Sequence, residues 1–370
     1  GGGYFRQHVS PFIPEPIVAL LATYQLFGDV GSTNDISIAE FKPASSGFVK
    51  PEDTVVINEF TDEDQKGGIA VEDTLSNSNL HRDNLQTEIE TQKIINTIDA
   101  LTKRGQELAA SINEPLFQNP EDVSLWRSDD LMLTYDQGEV SFAYPIGILN
   151  WHEIVNHDLG GTPLLITFCP LCGTGMAFDP RVDRRSLTFG VSGLLYNSDL
   201  LMYDHQTESL WSQIEGRAVS GPMAGTELEP VAIRHELWHR WRERVEGSGK
   251  VLSTDTGHRR NYRMSPYGDY DHSERLYFPV TNTSRKYHPK TWVLGWSHNG
   301  ESKAWPFPEL ADHGAVLEDR IGGKAVQLHY DPEVPSAELR DESGNLLPAI
   351  RAFWFAWYTF HPDTGVFEAE

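Results

Sequence analysis

Short apolar runs separated by turn residues dominate the chain after residue 115. Runs of this kind, rich in β-branched and aromatic residues and bounded by glycine or proline, predict strands. Strands are predicted at 164–168, 186–191, 200–203, 275–280, 292–296, 325–330 and 352–360. With 31 glycines and 22 prolines available for turns, the pattern predicts a mainly β fold, or α+β with minor helix.

Helical spacing of apolar residues occurs in two segments. In 236–246, Leu237, Trp241 and Val245 form an apolar stripe at i, i+4 and i+8, which predicts an amphipathic helix. In 81–113, apolar residues recur near helical spacing among charged ones, and a second amphipathic helix is expected. Residues 36–60 predict a β-hairpin around a proline and glycine turn. We therefore divide the chain into an acidic N-terminal extension, 1–112, and a β-rich core, 113–370.

The core has an internal similarity. Residues 141–158 align with 302–319 without a gap, and seven positions carry the same residue, including His152 and His313. Such a match predicts two similar half-units, at about 135–230 and about 292–370. Because this histidine occurs in both halves, its default interpretation is a hydrogen-bonded structural residue.

The only cysteines of the chain are Cys169 and Cys172, and they lie in the first half-unit. In the alignment of the halves, Asp331 stands opposite Cys169 and nothing stands opposite Cys172. A feature needed by the fold would be expected in both halves. A pair found in one half therefore favours a functional site placed on that half.

Three uses of this CxxC pair are open. Two thiolates on one tight turn can bind a soft metal ion, act as a redox pair, or close a short disulfide between Cys169 and Cys172. A structural zinc site needs four ligands and a second CxxC is absent, so further ligands are expected from Met176 and His152. A thioether would favour copper(I), and a histidine would favour zinc. The competing interpretation packs Met176 in the core.

A second candidate site is the segment 256–270, which concentrates arginines among tyrosines. Arg259, Arg260 and Arg263, with Tyr262, could bind an anionic ligand, since guanidinium groups fit carboxylate or phosphate. Internal ion pairing is the competing interpretation. No catalytic residue is assigned, because no Ser-His-Asp order, phosphate loop, EF-hand or HExxH motif is present.

Composition excludes some partners. Asp and Glu total 54 against 30 Lys and Arg, a net charge of −24, which disfavours binding to nucleic acid or anionic lipid. Adaptation to high salt is one explanation, and an ordinary acidic secreted protein is the other. The chain begins at Gly1 without a methionine, as expected of a processed mature form or of a start left by cloning, rather than of a native start. Its longest early apolar run, 17–27, is shorter than the roughly 20 residues of a membrane span.

Three long runs carry a family resemblance: 143–180, which contains the CxxC pair, 187–228 and 251–270. They resemble the prokaryotic domain-of-unknown-function family 3179 (DUF3179), and the resemblance covers about 114–370. It implies an extracytoplasmic protein, secreted or held at the cell surface with or without a lipid anchor, and it implies no agreed activity.

Two hypotheses of function follow. The first is an exported protein with a copper or zinc site, or a thiol-redox site, at Cys169 and Cys172. The alternative is a cell-surface structural or filament protein in which 1–112 contacts neighbouring copies to form a homo-oligomer. The cysteines would then form an inert disulfide.

Overall fold

The computed structural model describes residues 109–334 and 336–369, together with the backbone of one strand at Ile17–Ala19. The described chain is mainly β, as predicted, and its small sheets have a β-propeller-like arrangement. None of its described helices is long and apolar enough to cross a membrane. The predicted hairpin at 36–60, most of the predicted helix at 81–113 and any contact made by 1–16 or 20–108 lie outside the described residues.

The first half of the described chain contains two helices and most of the strands. Its elements are β1 (Ile17–Ala19), β2 (Phe117–Gln118), β3 (Leu131–Gln137), β4 (Val140–Pro145), α1 (Ile146–His152), β5 (Ile154–Asp158), β6 (Pro163–Cys169), β7 (Thr174–Asp179), β8 (Arg181–Val182), β9 (Arg185–Ser186), β10 (Phe189–Tyr196), β11 (Asp199–Asp204), β12 (Leu210–Ser212), β13 (Arg217–Ser220), β14 (Glu229–Val231), β15 (Arg234–Leu237), α2 (Trp238–Val245) and β16 (Gly249–Leu252).

The second half is shorter. Its elements are β17 (Trp292–His298), β18 (Glu301–Pro306), α3 (Phe307–His313), β19 (Val316–Ile321), β20 (Lys324–Asp331), β21 (Ser336–Asp341), β22 (Ile350–Phe353), α4 (Trp354–Phe360) and β23 (Gly365–Val366). The strands form sheets in the orders β1-β10-β11-β12-β13, β14-β7-β6-β5, β15-β3-β4-β16-β2, β22-β17-β18-β23, β19-β20-β21 and β8-β9.

The same succession of elements occurs in both halves. A hairpin, a seven-residue helix and a three-stranded meander run from β3 to β7, and again from β17 to β21. Three further elements then follow in each half: a strand antiparallel to the first strand of the hairpin, a helix, and a strand parallel to the second strand of the hairpin. They are β15, α2 and β16 in the first half and β22, α4 and β23 in the second. The first half differs by the strands β8 to β14, which lie between β7 and β15.

Three predictions of local structure were wrong or too long. The predicted strand at 275–280 is irregular, and the predicted strand at 352–360 becomes helix α4 from Trp354 onward. That helix buries aromatic residues on several sides, and such packing overrides the strand preference of aromatic residues. Residues 109–113, the described end of the predicted helix at 81–113, are not helical, because Ile112 pairs with Val155.

Other predictions of local structure were confirmed. The apolar runs at 164–168, 200–203, 292–296 and 325–330 lie within β6, β11, β17 and β20, and the stripe at 236–246 forms α2 after a short strand. Residues Leu164 to Cys169 of β6 are all buried, which explains why this run lacks polar alternation.

Gly295 marks a close approach between β17 and α4. A methyl group on Gly295 would overlap the indole ring of Trp357, which is fully buried. We expect Gly295→Ala to lower the free energy of unfolding by about 1–3 kcal/mol, since overpacking forces backbone or rotamer shifts. Urea unfolding would measure it. Gly365→Ala, whose methyl group has no neighbour closer than 3.7 Å, is the matched control and should change stability little.

Candidate metal centre

The CxxC segment is the tight turn that joins β6 to β7. The amide groups of Cys172 and Gly173 both donate to the carbonyl of Cys169, at 3.2 and 2.9 Å. Gly173 has φ +67°, and a Cβ there would lie 2.5 Å from the Trp292 ring. The turn therefore needs glycine, and it places both thiols in the same buried core cluster. Both cysteines are free thiols.

A second turn meets the thiols from the opposite sheet. Asn197 and Ser198 connect β10 to β11, and both have positive φ, 53° and 65°, as in the two-residue hairpin turns of tightly twisted strands. The Ser198 carbonyl lies 3.3 Å from Sγ of Cys172 and 3.9 Å from Sγ of Cys169. The side chain of Asn197 accepts a hydrogen bond from the amide of Thr281, which fixes the turn.

Asp199 is the residue immediately after this turn, and it completes a cluster of three potential ligands. A carboxylate oxygen of Asp199 and the sulfurs of Cys169 and Cys172 all lie within 4.8 Å of one another. Asp199 is 0% exposed. Its Oδ2 accepts a hydrogen bond from the amide of Ile214 at 3.0 Å, whereas no regular hydrogen bond reaches the buried Oδ1. The other donors near the carboxylate are the Cys172 thiol and the Leu200 amide.

Burial favours the protonated forms of these three groups in the absence of a cation. It raises the pKa of Asp199 to about 7 and raises the pKa of both thiols, that of Cys172 most strongly. Desolvation is the main cause in each case, because a buried anion loses its hydration. A cation bound among them would displace these protons, so the cluster couples metal binding to proton release.

The segment between the halves covers the thiols. Lys290 is buried, and its Nζ donates to the carbonyls of Tyr270, Ser273 and Arg275 at 3.3, 3.1 and 2.9 Å. Nζ also lies 3.5 Å from the centroid of the Tyr270 ring. Burial lowers the pKa of Lys290 to about 8, and the neighbouring Cys172 opposes this change. The hydroxyl of Tyr270 is buried without a partner, so a second polar atom near the thiols is unsatisfied.

Glu153 borders the site from the end of α1. Its Oε1 accepts a hydrogen bond from the hydroxyl of Tyr267 at 2.9 Å, and burial raises the pKa of Glu153 to about 7. Glu153, Tyr267 and Cys169 line one cavity of about 10 Å³, together with the apolar Leu171 and Leu200. A cavity of this volume holds about one water molecule.

His152 and Met176, predicted as metal ligands, differ in their placement. The ring nitrogens of His152 are engaged by the carbonyl of Ala110 at 2.7 Å and the hydroxyl of Tyr262 at 2.8 Å, and burial lowers its pKa to about 4. His152 therefore has the surroundings of a structural histidine. Met176 is buried in the core cluster that contains both cysteines, and its role as a ligand stays a prediction.

Two of the three arginines predicted to bind an anion, Arg260 and Arg263, have side-chain partners within the protein. Arg263 forms an ion pair with Asp130, and Arg260 lies 5.6 Å from the centroid of the Trp151 ring and donates to the carbonyl of Arg259. The hydroxyl of Tyr262 lies 2.6 Å from Oγ1 of Thr256, besides its contact with His152. The ion pair agrees with the competing interpretation, and an anion site here stays a prediction.

Sequence reasoning had not assigned Asp199 or Glu153 to the site. Asp199 follows Asn-Ser, a dipeptide suited to a hairpin turn, but its meeting with the cysteines depends on the packing of two sheets. For Glu153 a signal existed, because Gly314 occupies the matching position after α3. The two halves therefore differ at this position, with glutamate in the half that carries the cysteines and glycine in the half that lacks them.

Residues 110–345 match the family described as "Protein of unknown function (DUF3179)". No curated protein and no solved structure matches the chain. The match confirms the resemblance found in the sequence and includes every residue of the cluster. The chain belongs to the DUF3179 family.

Proposed function

We propose that this member of the DUF3179 family binds a zinc ion in a buried centre whose protein ligands are Cys169, Cys172 and Asp199. The observation that carries the proposal is the convergence of these three ligand atoms within 4.8 Å, in the core, with an unsatisfied carboxylate oxygen among them. Buried polar atoms without partners are rare in proteins, and a missing ion is one recognised explanation.

The donor set favours zinc over copper(I). Copper(I) prefers thiolate and thioether donors, whereas zinc binds thiolate, imidazole and carboxylate alike. Two thiolates and one carboxylate would also neutralise a divalent ion better than a monovalent one. The copper(I) site expected from the sequence would use the Met176 thioether as its third donor. The carboxylate of Asp199 as third donor favours zinc instead.

The same surroundings disfavour a thiol-redox function. A redox cysteine attacks as the thiolate and is usually partly exposed with a lowered pKa. Here burial raises the pKa of both thiols, and the exposed fractions of Cys169 and Cys172 are 2% and 0%. A bound zinc ion would stabilise the thiolates directly, so metal binding accounts for the pair where redox chemistry does not.

The proposal is tested by titrating metal-free, reduced protein with zinc and with copper(I) against a chromophoric chelator. We expect one zinc per chain. Asp199→Asn should weaken zinc binding by about 10-fold to 100-fold, because a neutral amide is a poorer ligand for a divalent ion, and should change copper(I) binding less. Failure of the wild-type protein to retain stoichiometric zinc would overturn the proposal.

We also propose that the centre operates outside the cytoplasm, as the family resemblance implies. Thiols exposed in an oxidising compartment form disulfides, and the burial of Cys169 and Cys172 would protect them there. Fractionation of the native cells, with detection by antibody, tests the location independently of the metal.

A further inference from the structure

We propose that the zinc centre keeps one exchangeable coordination position, open to the cavity beside Cys169, and that Glu153 hydrogen-bonds the small protic molecule that occupies it. Water is the smallest such occupant. This inference rests on the proposed zinc site. Glu153 is not a zinc ligand in it; its role is to position the molecule that occupies the open coordination position.

The first argument is the backbone of Glu153. It follows the last residue of α1 with φ 57° and ψ −33°, a conformation that residues with a side chain rarely adopt. Gly314 follows α3 at the matching position with φ 122°. Glycine is the residue expected at this end of a helix. The first half thus carries a strained glutamate where the second half carries an unstrained glycine, and strain of this kind concentrates at functional sites.

The second argument is where the side chain lies. Glu153 is 7% exposed, and its carboxylate is held by the hydroxyl of Tyr267, a residue of the segment that covers the thiols. The carbonyl of Glu153 accepts a hydrogen bond from the amide of Phe168, the residue before Cys169. Both ends of the residue are therefore fixed. Glu153 and Cys169 line the same cavity, and burial and, in addition, the charge of Glu153 raise the pKa of the Cys169 thiol.

The third argument is the number of ligands. Among the His, Cys, Asp and Glu side chains of the described residues, three provide ligand atoms to the cluster, and Glu153 lies outside the set of atoms that are mutually within 4.8 Å. Zinc sites with three protein ligands normally hold a water or substrate molecule in the fourth position, whereas structural sites have four. The cavity beside Cys169 has room for about one water molecule, and its polar wall is formed by Glu153 and Tyr267.

The experiment uses the whole chain loaded with cobalt(II), whose visible spectrum reports the ligands of the ion, and titrates it with azide. We expect azide to change the spectrum of the wild-type protein. In Glu153→Gln, azide should bind about 10-fold more tightly, because the variant replaces a negative charge beside the anion with a neutral amide.

Glu246→Gln is the matched control for charge. Glu246 follows α2 and is exposed, so removal of its charge should leave azide binding unchanged. A cobalt spectrum that azide leaves unchanged in both the wild-type protein and Glu153→Gln would overturn the inference and leave the zinc site intact. Absence of stoichiometric cobalt in the wild-type protein would instead overturn the site itself.

Discussion

Replacing Cys172 with serine is expected to abolish stoichiometric zinc binding, with a loss of affinity of at least about 10³-fold. Structural zinc sites contribute roughly 10–16 kcal/mol of binding free energy from four ligands, so one thiolate accounts for several kcal/mol. A serine hydroxyl stays protonated and is a weak zinc ligand. Zinc competition with a chromophoric chelator measures the change, and Cys169→Ser should give a similar loss.

Leu171→Val is the matched control for this experiment. Leu171 lies between the two cysteines and is 2% exposed, so its truncation perturbs the packing of the same turn without removing a donor atom. It should retain one zinc per chain. Equal zinc affinities for Cys172→Ser and Leu171→Val would show that the thiol is not a ligand.

The second large effect is a pH dependence of stability that metal reverses. The pKa of Asp199 is about 7 in the folded, metal-free protein, against about 3.9 in an unfolded chain. Between these values the folded state binds more protons, so this group's contribution falls as pH rises from about 4 to about 7. Relative to Asp199→Asn, the metal-free wild-type protein should be similarly stable at about pH 4. At pH 8 it should be less stable by about 2–4 kcal/mol.

With saturating zinc the order should invert at pH 8, because the ionised carboxylate then binds the metal. The wild-type protein and Asp199→Asn must be compared at each pH, because other groups also make stability depend on pH. Burial lowers the pKa of His152 and His157 to about 4, so their contribution to stability rises with pH, opposite to that of Asp199. Their effects cancel in the difference. Urea unfolding with chelator and with zinc provides the measurement, and equal stabilities of the two proteins at pH 8 without metal would contradict the assigned role of burial.

The fold could be predicted in class but not in detail. Apolar runs bounded by turn residues identified strands such as β6 and β11, because local pattern and burial agree there. The pattern gave a wrong prediction for Trp354–Phe360, whose seven aromatic or small residues favour a strand but form helix α4. Their conformation is decided by packing against distant residues, and local preference carries little information in such a case.

The candidate site could be predicted only where the residues are adjacent in the sequence. The spacing of Cys169 and Cys172 placed two donors on one turn. The third, Asp199, comes from an inserted sheet, and nothing in the sequence states that the β10–β11 turn meets the CxxC turn. His152 was predicted as a ligand because it precedes β6, yet its ring is turned toward Tyr262 and the carbonyl of Ala110.

The attachment of the CxxC turn to the second half decides where the chain can be shortened. The amide of Phe353 donates to the carbonyl of Cys172 at 2.9 Å, and Gly173 packs against Trp292 and Phe353. The family match ends at residue 345, before β22 and α4. A fragment cut to the matched range would keep Cys169, Cys172 and Asp199 but would lose the backbone partner of their turn. Fragments meant to preserve the centre should therefore extend through α4.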